Sequence, residues 1–293
     1  MMLDLPAIRR ALQFVPANTT AVLAASCVYA VMFALQSYFT ATAGAGDVGG
    51  APIALGFGAV AFFAFVLAMA SWGRIALDKP HGPYLGMALG GDEGRLTWTA
   101  FLILVLTVTV LGTAFLAVAF MIAALALINV DPEAPAPDAG QVDLFGLFGT
   151  GEWIVSAVIF AAFGVFALWF FLRLAMAYPA TLDAGRIQIM SVWPLSGKGR
   201  AVRILTTVVA AALPGILVLV LFNGVSATVF GAYPAAAQSA SAEAGQLTLA
   251  PALFIAMSFL YGVLKAALVG APVCAALCTL YRDLQTAPRT PGF

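Results

Sequence analysis

Lys265 stands near the middle of a long apolar run, Pro251 to Tyr281. An ammonium at the centre of a bilayer costs about 2.5–3.5 kcal/mol on insertion scales, so something must offset its burial. One reading puts Lys265 with Asn223 in an interior polar site that binds an anionic substrate or a lipid headgroup. The plainer reading has it snorkel along its helix or bond backbone carbonyls, and this needs fewer assumptions.

Other chemistry-bearing residues are sparse. His81 is the only histidine, which excludes a His-rich metal site, and no carboxylate falls inside an apolar run to form an acidic dyad. Cys274 and Cys278 lie one helical turn apart but have no His or acid beside them, so no metal and no cofactor is expected. Asp92 and Glu93 can be imagined as an acid/base pair. They sit where a helix begins, and favourable interaction with its dipole, with pairing to Arg95 or Arg186, explains them better. Ser196-Gly-Lys-Gly lacks the spacing of a phosphate-binding loop. The expectation is a protein that is not an enzyme.

The elements that carry these residues follow from composition. Of 293 residues, 63% are hydrophobic and only 9% charged, against about 25% charged in soluble domains. The bilayer must be the solvent. A hydrocarbon core about 30 Å thick needs about 20 helical residues, and six apolar runs meet that length: about 20–39, 52–72, 97–130, 153–178, 203–230 and 251–281. None alternates with the period of a barrel strand. The expected fold is all-α, a polytopic membrane helix bundle forming one integral membrane domain over residues 1–293.

Details of the runs carry further expectations. Apolar sequence continues past Cys27 to Phe39, too long for the core of a cleaved signal. Leu5, Ile8, Leu12 and Val15 share a face, which suits a short interfacial helix before the first span. The run 97–130 must tilt, bend near Gly112 or project from the membrane. Gly262, Gly270 and Pro272 are expected bends in the sixth run, and Thr206 or Thr207 is placed to satisfy carbonyls freed by Pro214.

Charge sets the orientation. Segments 40–51, 131–152 and 231–250 contain no Lys or Arg but carry acids such as Asp47, Asp131 and Glu243. Every basic residue except Lys265 falls on the other side or at helix ends facing it. The positive-inside rule then places both termini and loops 73–96 and 179–202 in the cytoplasm, most simply of a bacterium whose inner membrane the chain crosses. Thirteen basic residues balance thirteen acidic ones, so no field exists to attract nucleic acid.

The inward loops show a weak repeat: Arg74 precedes Pro80, and Arg173 precedes Pro179, by six residues each. Each loop ends in a Gly-Arg pair, Gly94-Arg95 and Gly199-Arg200. Arginine at an inner helix end reaches lipid phosphate or caps carbonyls, and the proline is expected to stop the helix. Leu182, Ile189, Met190 and Trp193 fall on one helical face, so an amphipathic interfacial helix is expected over 182–193. Arg74, Arg173, Arg186, Trp193, Lys198, Arg200 and Arg203 are the candidate lipid-headgroup or interface contacts.

Arg173-Leu-Ala-Met-Ala-Tyr-Pro-Ala180, followed by Ser191-Val-Trp-Pro-Leu-Ser-Gly-Lys-Gly-Arg200, resembles the R-(x)5-P and S-W-x-L-[ST]-x-G pattern of a poorly characterised family of bacterial multi-pass membrane proteins. That family is similar to the membrane domain attached to some glycerophosphodiester phosphodiesterases. Gly90-Gly-Asp-Glu-Gly-Arg-Leu96 and Leu280-Tyr-Arg-Asp-Leu284 fit the same pattern, while Val192 between Ser191 and Trp193, and Pro194 after Trp193, depart from it. The resemblance implies six helices and no known chemistry.

The leading functional expectation is a non-enzymatic inner-membrane protein that organises lipid or partner proteins at its cytoplasmic face. Its expected partners are the lipid bilayer, anionic lipids in particular, and membrane proteins whose identity the sequence does not give. The alternative is a small transporter or channel using Lys265. A third reading, an intramembrane lipid enzyme, would use Asp92, Glu93 or Asp183.

Overall fold

The computed structural model describes residues 5–44, 50–80, 90–128, 148–197, 200–229 and 249–286. In chain order the helices are α1 (Leu5–Ala17), α2 (Thr19–Gly44), α3 (Gly50–Ala76), α4 (Gly91–Ile128), α5 (Thr150–Leu174), α6 (Ala177–Ala184), a 3₁₀ turn (Met190–Ser196), α7 (Arg200–Val229), α8 (Leu249–Lys265) and α9 (Ala271–Thr286). A π-helical segment, Ala266–Gly270, joins α8 to α9. No strand occurs among the described residues. Six helices or helix pairs are long and apolar enough to cross a membrane, and they coincide with the six apolar runs of the sequence. The molecule is an all-α bundle and a multi-pass membrane protein.

Its outer surface is apolar, with Leu55, Phe120 and Val165 among the large side chains left exposed. Lipid is the solvent that makes such a surface stable. Inside, small residues set helix spacing: Ala25, Ala30, Ala61, Ala64 and Ala68 are buried where α2 packs on α3 and α8. A Cβ on Gly262 would lie 3.1 Å from the Ala30 Cα, so α8 approaches α2 almost backbone to backbone. Trp72, fully buried, fills the space beside Gly270 with its ring edge-on to Phe65.

Individual elements decide between the options left open and correct two of the expectations. Helix α4 is unbroken through Gly112 and has 38 residues, about 57 Å at 1.5 Å per residue. The face of α1 that packs on the bundle is Ala7, Ala11 and Phe14, leaving Leu5 and Leu12 outward; its small residues admit close contact with α9, which bulky leucines would prevent. The continuous amphipathic helix over 182–193 does not form. α6 ends at Ala184 because Gly185 is left-handed, with φ of 62°, and residues 186–189 are non-helical before the 3₁₀ turn. Nor does Pro179 end a helix: it lies in the first turn of α6, where the missing N–H is harmless.

The break in the sixth span has a specific cause. Pro272 has no N–H for the Leu268 carbonyl four residues back, and its ring crowds that oxygen. The helix widens instead: the Ala271 N–H donates to Ala266, five residues earlier. Near Pro214 the threonines do not serve as expected. Thr206 Oγ1 donates to the Arg203 carbonyl at 3.1 Å, and the buried Thr207 hydroxyl makes no hydrogen bond.

Candidate functional site

One end of the bundle gathers nearly all the charge of the described chain. Helix α3 closes with the Lys79 N–H on the Arg74 carbonyl at 2.8 Å, which puts Asp78 in the left-handed region, φ 51°. Glycine is the usual residue there. The aspartate side chain adds contacts that a glycine could not make. Arg282 Nη1 donates to Asp78 Oδ2 at 2.6 Å, while Nη2 donates to the Leu77 carbonyl, tying α9 to the end of α3.

Lys79 crosses to α6. Its Nζ donates to the carbonyls of Leu182 at 2.7 Å and Asp183 at 2.8 Å, capping orphan acceptors at the helix C-terminus, and lies 3.6 Å from the Asp183 carboxylate. Helix α6 rests on α3 at Gly73, where a Cβ would come within 2.5 Å of the Tyr178 hydroxyl and 2.6 Å of Leu182. That hydroxyl donates to the Met69 carbonyl.

Arg74 and Glu93 form a buried ion pair, Nη2 to Oε1 2.5 Å, with Asp92 3.7 Å from the same nitrogen. The contact is made by charge and proximity. It is not aligned as a hydrogen bond, and Arg74 Nη1 and Glu93 Oε1 make none. Glu93 Oε2 accepts the Gly90 N–H at 3.1 Å, and Asp92 pairs with Arg95 at 3.0 Å, so both acids serve the start of α4. The partner of Glu93 is thus Arg74, and Arg186 pairs with neither acid.

Arg173 lies over two indole rings, 5.4 Å from Trp169 and 5.9 Å from Trp193, whose planes meet at 80°. Its Nη1 donates to the Trp193 carbonyl at 3.0 Å, and Ser196 Oγ donates to the same oxygen at 3.1 Å. A Cβ on Gly197 would sit 3.3 Å from the Pro194 carbonyl and 3.4 Å from Arg173, tight on both sides. Arg173, Trp193, Ser196 and Gly197 therefore form one closed cluster that clamps the 3₁₀ turn to α5. Trp169 is its member without a motif signal.

Arg203 pairs with Asp283 at 3.7 Å. Arg200, at the start of α7, has no acidic partner among the described residues, and neither do Arg9, Arg10 and Arg186. Lys198 lies outside the described residues. Two cavities open near this end. A polar one of about 410 Å³ lies between α6, the 3₁₀ turn and α9. An apolar groove of about 320 Å³ runs between α3, α4 and α5, floored by Met69, Leu96, Ile103 and Phe171.

Lys265 lies far from this layer. It is exposed on the bundle surface, its Nζ 5.3 Å from the centre of the Phe33 ring. The contacts Phe222 to Tyr261 and Gly215 to Leu268 fix the antiparallel register of α7 against the sixth span. Asn223 then lies level with Leu260, five residues and about 7.5 Å along the axis from Lys265. The structure does not bring the two into one site. Cation–π attraction of about 0.5–1 kcal/mol is smaller than the cost of holding the charge at membrane depth. Lys265→Met is therefore expected to keep or raise the thermal midpoint in detergent; a fall of several degrees would show that the ammonium makes stabilising bonds.

All three cysteines are free, and no three His, Cys, Asp or Glu side chains converge among the described residues. No family model, curated protein or solved structure matches this chain.

Proposed function

We propose that this is a non-enzymatic bacterial inner-membrane protein, with both termini cytoplasmic, that organises anionic lipid or partner proteins through its charged end. One observation carries the reading. Asp78, Asp92, Glu93, Asp183 and Asp283 are all engaged by cations of the same layer, whereas Arg9, Arg10, Arg186 and Arg200 have no carboxylate partner among the described residues. The layer is left with unneutralised positive charge at the level where lipid phosphates lie. The positive-inside rule supports the cytoplasmic assignment. Kinship with the family suggested by the Arg173 and Trp193 motifs belongs to the same proposal. The transporter alternative needs a polar interior around Lys265, and an exposed ammonium over Phe33 lends it nothing.

Arginines near an anionic surface contribute about 1 kcal/mol each. Replacing Arg9, Arg10, Arg186 and Arg200 together by Gln is expected to reduce the preference for phosphatidylglycerol over phosphatidylcholine by up to about a thousandfold. Native mass spectrometry of the full chain from mixed nanodiscs reads this out. Equal retention of both lipids by the parent protein would overturn the proposal.

Orientation is tested by single cysteines in a background lacking the native three. Met190, 59% exposed on the 3₁₀ turn, is the inner position. Met190→Cys should react only with permeant reagent and Ser239→Cys with impermeant reagent added outside. The reverse pattern would invert the topology.

A further inference from the structure

We infer that the 410 Å³ cavity between α6, the 3₁₀ turn and α9 is a binding site for a phosphate group, carried by a lipid headgroup or by a soluble phosphate ester. The inference rests on the proposed function and assigns a specific place to one part of it. The cavity is lined by the polar side chains Asp183, Arg186, Gln188, Ser191, Tyr281 and Gln285, and its volume falls in the range of small-ligand sites.

The hydrogen-bond pattern leaves this cavity rich in donors. Ser191 Oγ donates to Gln188 Oε1, so the Gln188 amide NH₂ remains free to donate. Gln285 Nε2 donates to the Tyr281 hydroxyl oxygen, which leaves the phenolic hydrogen and a second amide hydrogen for a ligand. Arg186 adds five N–H donors and has no carboxylate partner among the described residues.

The negative features nearby are already satisfied. Asp183 faces Lys79 at 3.6 Å, and Lys79 also caps the last carbonyls of α6, which offsets the negative end of that helix dipole. Asp283, next along α9, pairs with Arg203. A guanidinium beside neutral donors, with Asp183 and Asp283 each facing a cation, selects an oxyanion with several acceptor oxygens. Phosphate fits that description, and the site lies at the end of the bundle where phosphates of the bilayer are found.

The test uses the full chain in a neutral detergent with two probes: inorganic phosphate and short-chain phosphatidylglycerol. Binding is read as the concentration dependence of the thermal midpoint. Arg186→Gln should weaken binding at least tenfold, and Tyr281→Phe, which removes one donor and keeps the ring, about three- to tenfold. Lys265→Met, far from the cavity and over the Phe33 ring, should leave the response to either probe unchanged. Response to both probes identifies a soluble phosphate source, and response to the lipid alone identifies a headgroup; either supports the site. Absence of any response by the parent protein, or a response untouched by Arg186→Gln and Tyr281→Phe, overturns it. If the fourfold arginine variant loses its lipid preference while these two substitutions change nothing, the proposed function stands and the cavity assignment falls.

Discussion

Glu93→Gln is expected to destabilise the protein by about 3 kcal/mol, the largest effect of any polar substitution at the charged end. The change is nearly isosteric and keeps an oxygen able to accept the Gly90 N–H, so it removes charge more than packing or capping. What it leaves is the Arg74 guanidinium, whose side chain is only 9% exposed. Stripping one partner from a buried pair costs about 3–5 kcal/mol because the remaining charge has lost its compensation. Asp92, 3.7 Å from the same nitrogen, moderates the loss and places it at the low end of that range. Replacing both partners tests the cause: Arg74→Met with Glu93→Leu should recover most of the stability, since an apolar pair of similar volume carries no desolvation penalty. Unfolding of the full chain in mixed micelles measures both. A single-mutant loss below about 1 kcal/mol would mean that water reaches Arg74 and that the pair behaves as a surface one.

The pair also marks where sequence reasoning stops. Six spans were legible because each is long, apolar and nearly uncharged, and the charged layer was legible because segments without Lys or Arg alternate with segments that hold nearly all of them. Partner choice within the layer was not. Local spacing favoured Arg95, and pairing between the two loops Arg186, for the acids at 92 and 93; Asp92 does take Arg95, but Glu93 takes Arg74 from the preceding helix. Only the angle at which α3 meets α4 decides that. Lys79 is similar: its carbonyl acceptors on α6 lie 103 and 104 residues along the chain.

The apolar face read over residues 182–193 failed for a different reason. Leu182 is buried while Met190 of the same face is 59% exposed, because the periodicity runs through Gly185, which terminates α6 where Lys79 satisfies its last carbonyls. Pattern alone assigns no priority between an apolar spacing and a stop signal. At Trp193 the two kinds of information agree in part. The two quoted segments, 173–180 and 191–200, singled out Arg173, Trp193, Ser196 and Gly197, and the fold adds Trp169, one turn before Arg173, as the second aromatic face.

Gly215→Ala is expected to cost about 3 kcal/mol or more and to disrupt the seam between α7 and the sixth span. Helical glycine replaced by alanine ordinarily gains up to about 1 kcal/mol in propensity, and Gly112 and Gly224, with nothing within 4 Å of an added Cβ, should show that gain or no change. At Gly215 the added carbon would lie 2.1 Å from the Leu268 carbonyl oxygen, 2.5 Å from its carbon and 2.8 Å from Val269 Cγ2. Two of those atoms are backbone and cannot rotate away, so the helices themselves must separate, at the upper end of overpacking costs or beyond. The seam exists because Pro272 denies the Leu268 carbonyl its helical donor and widens the turn into a π segment. Pro272→Ala supplies that donor and should draw the carbonyl back toward its own helix. Gly215→Ala should then cost less in the Pro272→Ala background than alone, a coupling that a double-mutant cycle of unfolding free energies measures directly. Additive effects would separate the proline from the close approach. A Gly215→Ala protein as stable as Gly112→Ala would mean that α7 does not pack against the π segment at this register, and the placement of Asn223 relative to Lys265 would have to be redrawn with it.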